Sequence, residues 1–114
     1  MGSIADDTQW LDATDQAALV RSGTVSPVEL VDAAAERAER LNPTINALTY
    51  IWFDDARVAA QQLPADNTMP FRGVPFVLKD LHAAMEGKPL SNGNIALKNA
   101  HHISNYTTEH VKRF

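Results

Sequence analysis

Lys79 is the side chain best placed to do chemistry in this sequence, because it directly follows the apolar run Gly73–Leu78. The run predicts a short strand covered on both faces, and the end of such a strand is where α/β enzymes collect catalytic groups. Burial disfavours a charged amine, and a lysine pKa lowered from about 10.4 to near 7 would make Lys79 a general base at neutral pH. Residue type alone favours a simpler interpretation, in which Lys79 pairs with Asp80 or extends into solvent.

The histidines and a glycine–lysine pair at positions 87–88 are weaker candidates for a functional site. His82 lies three residues beyond Lys79, and we expect it to face solvent in a loop rather than to line a cleft. The remaining histidines lack the spacing of a metal-binding pair on one helix: His101, His102 and His110. The 87–88 pair lacks the glycines and the Ser or Thr of a phosphate-binding loop. The sequence therefore predicts no metal and no cofactor.

Composition excludes several classes of protein. The 114 residues are the length of one small domain, and a hydrophobic share of 45% is ordinary for a globular chain. Without cysteine, the chain has no disulfide, no thiol nucleophile and no Cys-ligated metal. A net charge of −4 without a Lys/Arg block argues against nucleic-acid binding. The acidic start is no secretory signal and no apolar run approaches the roughly 20 residues of a membrane span, so we expect no membrane association and a cytoplasmic location.

Capping signals in the first part of the chain predict two helices. Thr14 is predicted to cap a short helix that ends at Gly23, because glycine adopts the left-handed conformation without steric cost. Ser26–Glu29 is a capping box with proline at the first helical position, and apolar residues then recur at helical spacing. Asn42-Pro43 is predicted to stop this second helix. Residues 1–10 are predicted to be a flexible lead-in.

The later elements are mixed. The β-branched and aromatic segment Leu48–Phe53 predicts a strand, and Asp54 or Asp55 is predicted to cap a third helix. A polar connector then leads to the strand before Lys79, and a loop is predicted over 87–94. A last helix is predicted from Thr107 or Thr108 to Phe114. A covered strand needs neighbours, and this chain offers one other strand and a final helix of about two turns, so we expect the chain to be incomplete.

Several segments, in order, resemble the amidase signature family. Gly73–Asp80 looks like the segment that carries the catalytic lysine of these enzymes. The other similar segments span the chain from about Leu11 to Phe114: Ser26–Leu30, Glu39–Ala47, Gly87–Pro89, Ser91–Asn94 and His110–Phe114. In Ser91–Asn94, asparagine stands where the family usually has a small hydroxyl residue.

The resemblance implies an α/β fold: residues 1–114 would be the N-terminal part of a mixed-sheet amidase domain, with helices first and then the strand carrying Lys79. It also implies a triad of a nucleophilic serine, a second serine on a cis peptide bond, and a neutral lysine that draws a proton through the second serine. Only Lys79 matches a triad position. The serines present do not lie in the family's Gly/Ser-rich segment: Ser3, Ser22, Ser26, Ser91 and Ser104.

The resemblance predicts a hydrolase of carboxylic amides other than peptides, present as an N-terminal fragment that is inactive alone. Its partner would be a small-molecule amide substrate bound by the complete enzyme, and a homodimer is left open. One alternative is a fragment of the glutaminase subunit of a tRNA-dependent amidotransferase. Another is a non-catalytic truncated product or interaction module. The sequence does not identify which amide is the substrate.

Overall fold

The computed structural model describes residues 2–114, and the regular secondary structure of these residues is helical, joined by turns and irregular segments. The helices are α1 (Ile4–Thr8), α2 (Ala13–Arg21), α3 (Pro27–Ile45), α4 (Phe53–Gln62), α5 (Ile95–Asn99) and α6 (Glu109–Lys112). The chain divides into two compact units, the first ending at Phe76 and the second spanning Val77–Phe114.

The turn between α2 and α3 forms as its glycine predicts. Gly23 has φ +74° and donates its N–H to Val20 O at 3.1 Å, and Thr24 donates to Leu19 O at 3.0 Å. This pair of bonds is the Schellman arrangement, which satisfies carbonyl groups at the end of α2. The prediction that Gly23 ends this helix is confirmed. The cap at its start is Asp12 rather than Thr14, because the Asp12 carboxylate accepts from Asp15 N at 2.9 Å.

The long helix α3 begins at the predicted capping box. The Ser26 hydroxyl accepts from Glu29 N at 3.2 Å, and Ser26 N donates to the Glu29 carboxylate at 2.8 Å. The far end differs from the prediction, since α3 continues through Pro43 to Ile45. It closes at Asn46, which adopts the left-handed conformation with φ +47° and donates to Asn42 O at 2.7 Å. The proline therefore lies in the last turn of the helix, and the left-handed asparagine ends it.

Helices α1 and α4 pack on α3. Within the predicted lead-in, Ala5 and Thr8 of α1 are buried, and Arg37 donates to Ala5 O and to the Thr8 hydroxyl, both at 3.0 Å. On the α4 side, Arg57 forms an ion pair with Asp32 of α3 at 2.5 Å. These contacts make α3 the central element of the first unit.

The core of the first unit lies at the corner between α2 and α3. Leu30 is its largest fully buried side chain, and it clusters with Val20 and Val25. Gly73 returns the chain to this corner with φ +82°. A Cβ atom at Gly73 would lie 2.9 Å from Pro27 Cγ, so no side chain fits there without displacement.

The predicted strands do not form, and the expectation of a sheet carrying Lys79 is wrong for the described residues. Leu48–Phe53 is irregular until α4 begins at Phe53, and residues 74–79 have no regular secondary structure. A strand requires backbone partners, and the β-ladder contact among residues 2–114 is an isolated antiparallel bridge between Pro89 and Ile103. Phe76 and Val77 are 59% and 71% exposed, so the apolar run is not covered on both faces as the sequence predicts.

The second unit is organised by backbone hydrogen bonds between distant segments. Leu90 N donates to His102 O at 3.2 Å, and Ser104 N donates to Lys88 O at 3.0 Å, on either side of the isolated bridge. Thr108 N donates to Ala84 O at 3.0 Å, and Ala84 is fully buried. Thr108 is the N-cap of α6, as predicted, but the helix ends at Lys112 before reaching Phe114.

Candidate functional site

Lys79 is exposed and lies near the start of the second unit, in the irregular segment that precedes Asp80. The exposed position differs from the covered strand end that the sequence predicts, because the described residues supply no neighbouring strand. Its sequence neighbour Asp80 is half-buried.

The Asp80 carboxylate binds the Ser91-Asn92-Gly93 turn. One carboxylate oxygen accepts from Ser91 N at 2.7 Å, and the other accepts a short hydrogen bond from the Ser91 hydroxyl. Ser91 itself is buried. Bonds between a carboxylate and such donors are stronger than those between neutral groups, so Asp80 fixes this turn across eleven residues of sequence.

The same turn also accepts a hydrogen bond from the segment that follows Lys79 and Asp80. The Asn92 side-chain oxygen accepts from His82 N at 3.0 Å. Asn92 and Gly93 have φ of +50° and +71°, and His82 has φ of +62°. Asparagine and glycine tolerate this left-handed conformation better than other residues. We call Asp80, His82, Ser91, Asn92 and Gly93 the Asp80 clamp.

Hydrogen bonding within the Asp80 clamp also sets the charge of the carboxyl group. Desolvation acts to raise the pKa of Asp80, but the Ser91 hydroxyl, Ser91 N and the backbone N–H groups of Gly93 and Asn92 outweigh it. The pKa of Asp80 is therefore below its ordinary value. The carboxylate stays ionised in the clamp because all of these donors interact better with the anion.

The other sequence candidates do not gather around Lys79 in a metal-binding arrangement. His82 is exposed, and its backbone N–H belongs to the Asp80 clamp. The three later histidines are also exposed: His101, His102 and His110. Across residues 2–114, no group of three or more His, Cys, Asp or Glu side chains is placed to hold a metal ion. No helix in the described chain has the length and apolar character needed to cross a bilayer.

The serine hydroxyls serve local structure. Ser3 and Ser26 accept from backbone N–H groups at the starts of α1 and α3. The Ser22 hydroxyl donates to Leu19 O at 3.0 Å, and the buried Ser104 hydroxyl donates to Tyr106 O at 2.8 Å. With Ser91 bound to Asp80, the described serines do not form a nucleophile beside the candidate lysine.

Sequence reasoning missed the Asp80 clamp. It considered Asp80 as an ion-pair partner of Lys79, whereas the carboxylate binds Ser91. The available signal was Ser91-Asn92-Gly93, because asparagine followed by glycine is typical of turns with positive φ. That signal predicts the turn but does not identify the distant carboxylate that binds it.

Comparison with known proteins identifies the family. The sequence model of the Amidase family matches residues 29–113, which is most of the chain and includes Lys79 and the whole Asp80 clamp. The chain belongs to the amidase family, and the resemblance stated from its motifs is confirmed.

Three curated relatives illustrate the match. The chain is 38% identical to the acylamidase of Rhodococcus erythropolis over 80% of its own length and 21% of that protein. It is 35% identical to the 6-aminohexanoate-cyclic-dimer hydrolase of Paenarthrobacter ureafaciens, over 91% of the chain and 20% of the relative. It is 42% identical to the putative amidase AmiC of Mycobacterium tuberculosis, over 75% of the chain and 18% of the relative. The chain thus spans about a fifth of the length of these relatives. No solved structure matches it.

Proposed function

We propose that this chain supplies the proton-accepting lysine of an amide hydrolase, and that Lys79 is this lysine. The observation that carries the proposal is the family match over residues 29–113, within which Lys79 follows the apolar run that resembles the lysine segment. The printed names of the acylamidase and of the cyclic-dimer hydrolase support small carboxylic amides as the substrate class.

In the proposed reaction the neutral Lys79 amine accepts a proton, by way of a bridging hydroxyl, from the hydroxyl that attacks the amide carbonyl. The tetrahedral intermediate collapses as the C–N bond breaks, and the proton passes to the departing amine. Water then releases the acyl group as a carboxylic acid. Both hydroxyls would come from outside this chain, because none of its serines lies in a Gly/Ser-rich segment like the one that carries them in the family. We therefore expect the 114 residues alone to hydrolyse no amide.

The exposed apolar run supports an interface with further strands of the domain. Phe76 and Val77 are more than half exposed, and residues 74–79 have no strand partner in the described chain. Covering these two side chains would remove apolar surface from water. It would also desolvate Lys79, which favours the neutral amine that the reaction needs.

A chimera tests the proposed function. This chain would replace the segment that it matches in the Rhodococcus erythropolis acylamidase, and hydrolysis of a chromogenic acyl anilide would be measured. We expect hydrolysis by the chimera, and a loss of kcat of about a thousandfold or more in Lys79→Ala, as when one member of a catalytic unit is removed. If the chimera does not fold, the two parts would be co-expressed as separate chains.

A matched lysine supplies the control. Lys112→Ala changes another exposed lysine of the second unit and should leave kcat unchanged. A folded chimera without hydrolysis would contradict the proposed function. Hydrolysis that survives Lys79→Ala would contradict the assignment of Lys79.

A further inference from the structure

The carboxylate nearest to Lys79 in sequence does not pair with it. Lys79 and Asp80 are adjacent charged residues, and the simplest expectation is an ion pair between them. In the described chain the Asp80 carboxylate binds the Ser91 hydroxyl and Ser91 N, and it forms no ion pair with the Lys79 amine. This diversion matters for the proposed function, because a nearby carboxylate favours the ammonium form of a lysine.

We propose that Asp80 is a positioning residue: the Ser91-Asn92-Gly93 turn holds its carboxylate away from Lys79 and fixes the backbone that carries the lysine. The relevance of this inference to catalysis rests on the proposed function of Lys79. Asp80 touches neither substrate nor a reacting atom in the mechanism, and acts through its neighbour.

The geometry of the Asp80 clamp suits this role. Its hydrogen bonds run in opposite directions between the same two segments: Ser91 donates to Asp80, and His82 N donates to Asn92. Of the two bonded positions in the first segment, Asp80 directly follows Lys79 and His82 lies three residues beyond it. The Ser91 side chain is buried, so little room exists for water to replace its bond to the carboxylate. The clamp therefore restrains both the carboxylate and the backbone beyond the lysine.

The first arm of the test replaces Asp80 in the 114-residue chain. Acylation of each lysine by a water-soluble acetylating reagent would be followed by peptide mass spectrometry at one fixed pH, because only a neutral amine reacts. In Asp80→Asn we expect the Lys79 rate to stay within about twofold of the original, since the removed charge was not its partner. A rise of about threefold or more would show that Asp80 pairs with Lys79, and would overturn the proposal.

The second arm releases the carboxylate while keeping its charge. Ser91→Ala removes the hydroxyl donor, and we expect the Lys79 acylation rate to fall about threefold, the size that a partly exposed ion pair permits. Ser91→Thr keeps a hydroxyl and should restore the rate. The double variant Asp80→Asn/Ser91→Ala should also restore it, because no charge remains to pair with the amine.

The double variant shows whether Ser91 affects Lys79 by holding the Asp80 carboxylate or only by stabilising the fold of the second unit. If Ser91 has a merely structural role, removing Asp80 as well cannot reverse its effect. An unchanged Lys79 rate in Ser91→Ala, or a slowdown that persists in the double variant, would overturn the proposal. Lys112 in the same digest is the internal control, and hydrogen exchange at Thr108 N reports whether the second unit stays folded. If one single variant unfolds, the other arm decides.

Failure of this inference is distinguishable from failure of the proposed function. Acylation of the 114-residue chain needs no amide hydrolysis, so it tests the Asp80 clamp alone. Hydrolysis by the chimera and its loss in Lys79→Ala test the function of the lysine.

Discussion

The two units of this chain are stabilised by different interactions. The first unit is built on the 19-residue helix α3, with an apolar cluster that includes the fully buried Leu30. In the second unit, α5 and α6 have five and four residues, too few to be stable in isolation. Its buried residues are small or polar, with one leucine: Ala83, Ala84, Leu90, Ser91 and Ser104.

Apolar packing is the main source of order in the first unit, and hydrogen bonding is the main source of order in the second. In the first unit, short-range capping signals start and end helices whose apolar faces then pack together. In the second unit, polar side chains and backbone groups join segments that are more than ten residues apart, as Asp80 does with Ser91. Substitutions and pH should therefore affect the two units differently, which hydrogen exchange resolved by residue can measure.

The largest effect is expected from Leu30→Ala in the first unit. The substitution leaves a cavity in the apolar cluster and should cost about 2–5 kcal/mol of its unfolding free energy. Urea titration followed by circular dichroism would measure the loss, and exchange in the second unit should not change. Leu41→Ala is the matched control, because Leu41 is 47% exposed and lies on the same helix. Equal losses for the two variants would contradict packing as the main source of stability.

A smaller effect is expected from Ser26→Ala. The substitution removes the hydroxyl that accepts from Glu29 N, and loss of an N-cap costs about 1 kcal/mol. The backbone and side chain of Ser26 also hold the pKa of Glu29 below its ordinary value, so this pKa should rise in the variant. Thermal unfolding and a carboxyl titration by NMR would measure the two changes. Ser26→Asp keeps a capping oxygen and should retain most of the stability.

The smallest effect is expected from acid, and it concerns the second unit. The pKa of folded Asp80 is lowered, so its contribution to stability is complete above the unfolded value of about 3.9 and is lost as pH falls through the folded value. Amide exchange in the Ser91-Asn92-Gly93 turn, corrected for the intrinsic pH dependence, should accelerate over that range. Asp80→Asn should abolish this acceleration, and a variant with the same acid response would show that another group is responsible.

Prediction from sequence succeeded where the signal was local. The Ser26 capping box and the Gly23 turn each depend on residues within one turn of the chain, and both form. The start of α6 at Thr108 also lies where the sequence predicts it, but Thr108 N is bound to the distant Ala84 O rather than to a local cap. The strands at 48–53 and 73–78 failed because a strand depends on partners that local sequence does not provide. The chain supplies an isolated bridge between Pro89 and Ile103 instead.

The candidate site shows the same limit. Lys79 was predicted as the candidate base from its position after an apolar run and from the family resemblance, and it stays a prediction. The partner of Asp80 could not be predicted from the sequence, because a carboxylate can pair with the adjacent lysine or bind a turn eleven residues away. The choice depends on the burial of Ser91 and on its position beside Asp80, which only the folded unit shows.

Gly73 has a consequence for comparing this chain with its relatives. Because Gly73 has no side chain, its backbone can lie close to Pro27 and Val20, and even a methyl group at this position would clash with the proline ring. A homologue with a larger residue at this point must therefore shift Pro27 or its own backbone where the chain returns to the second and third helices.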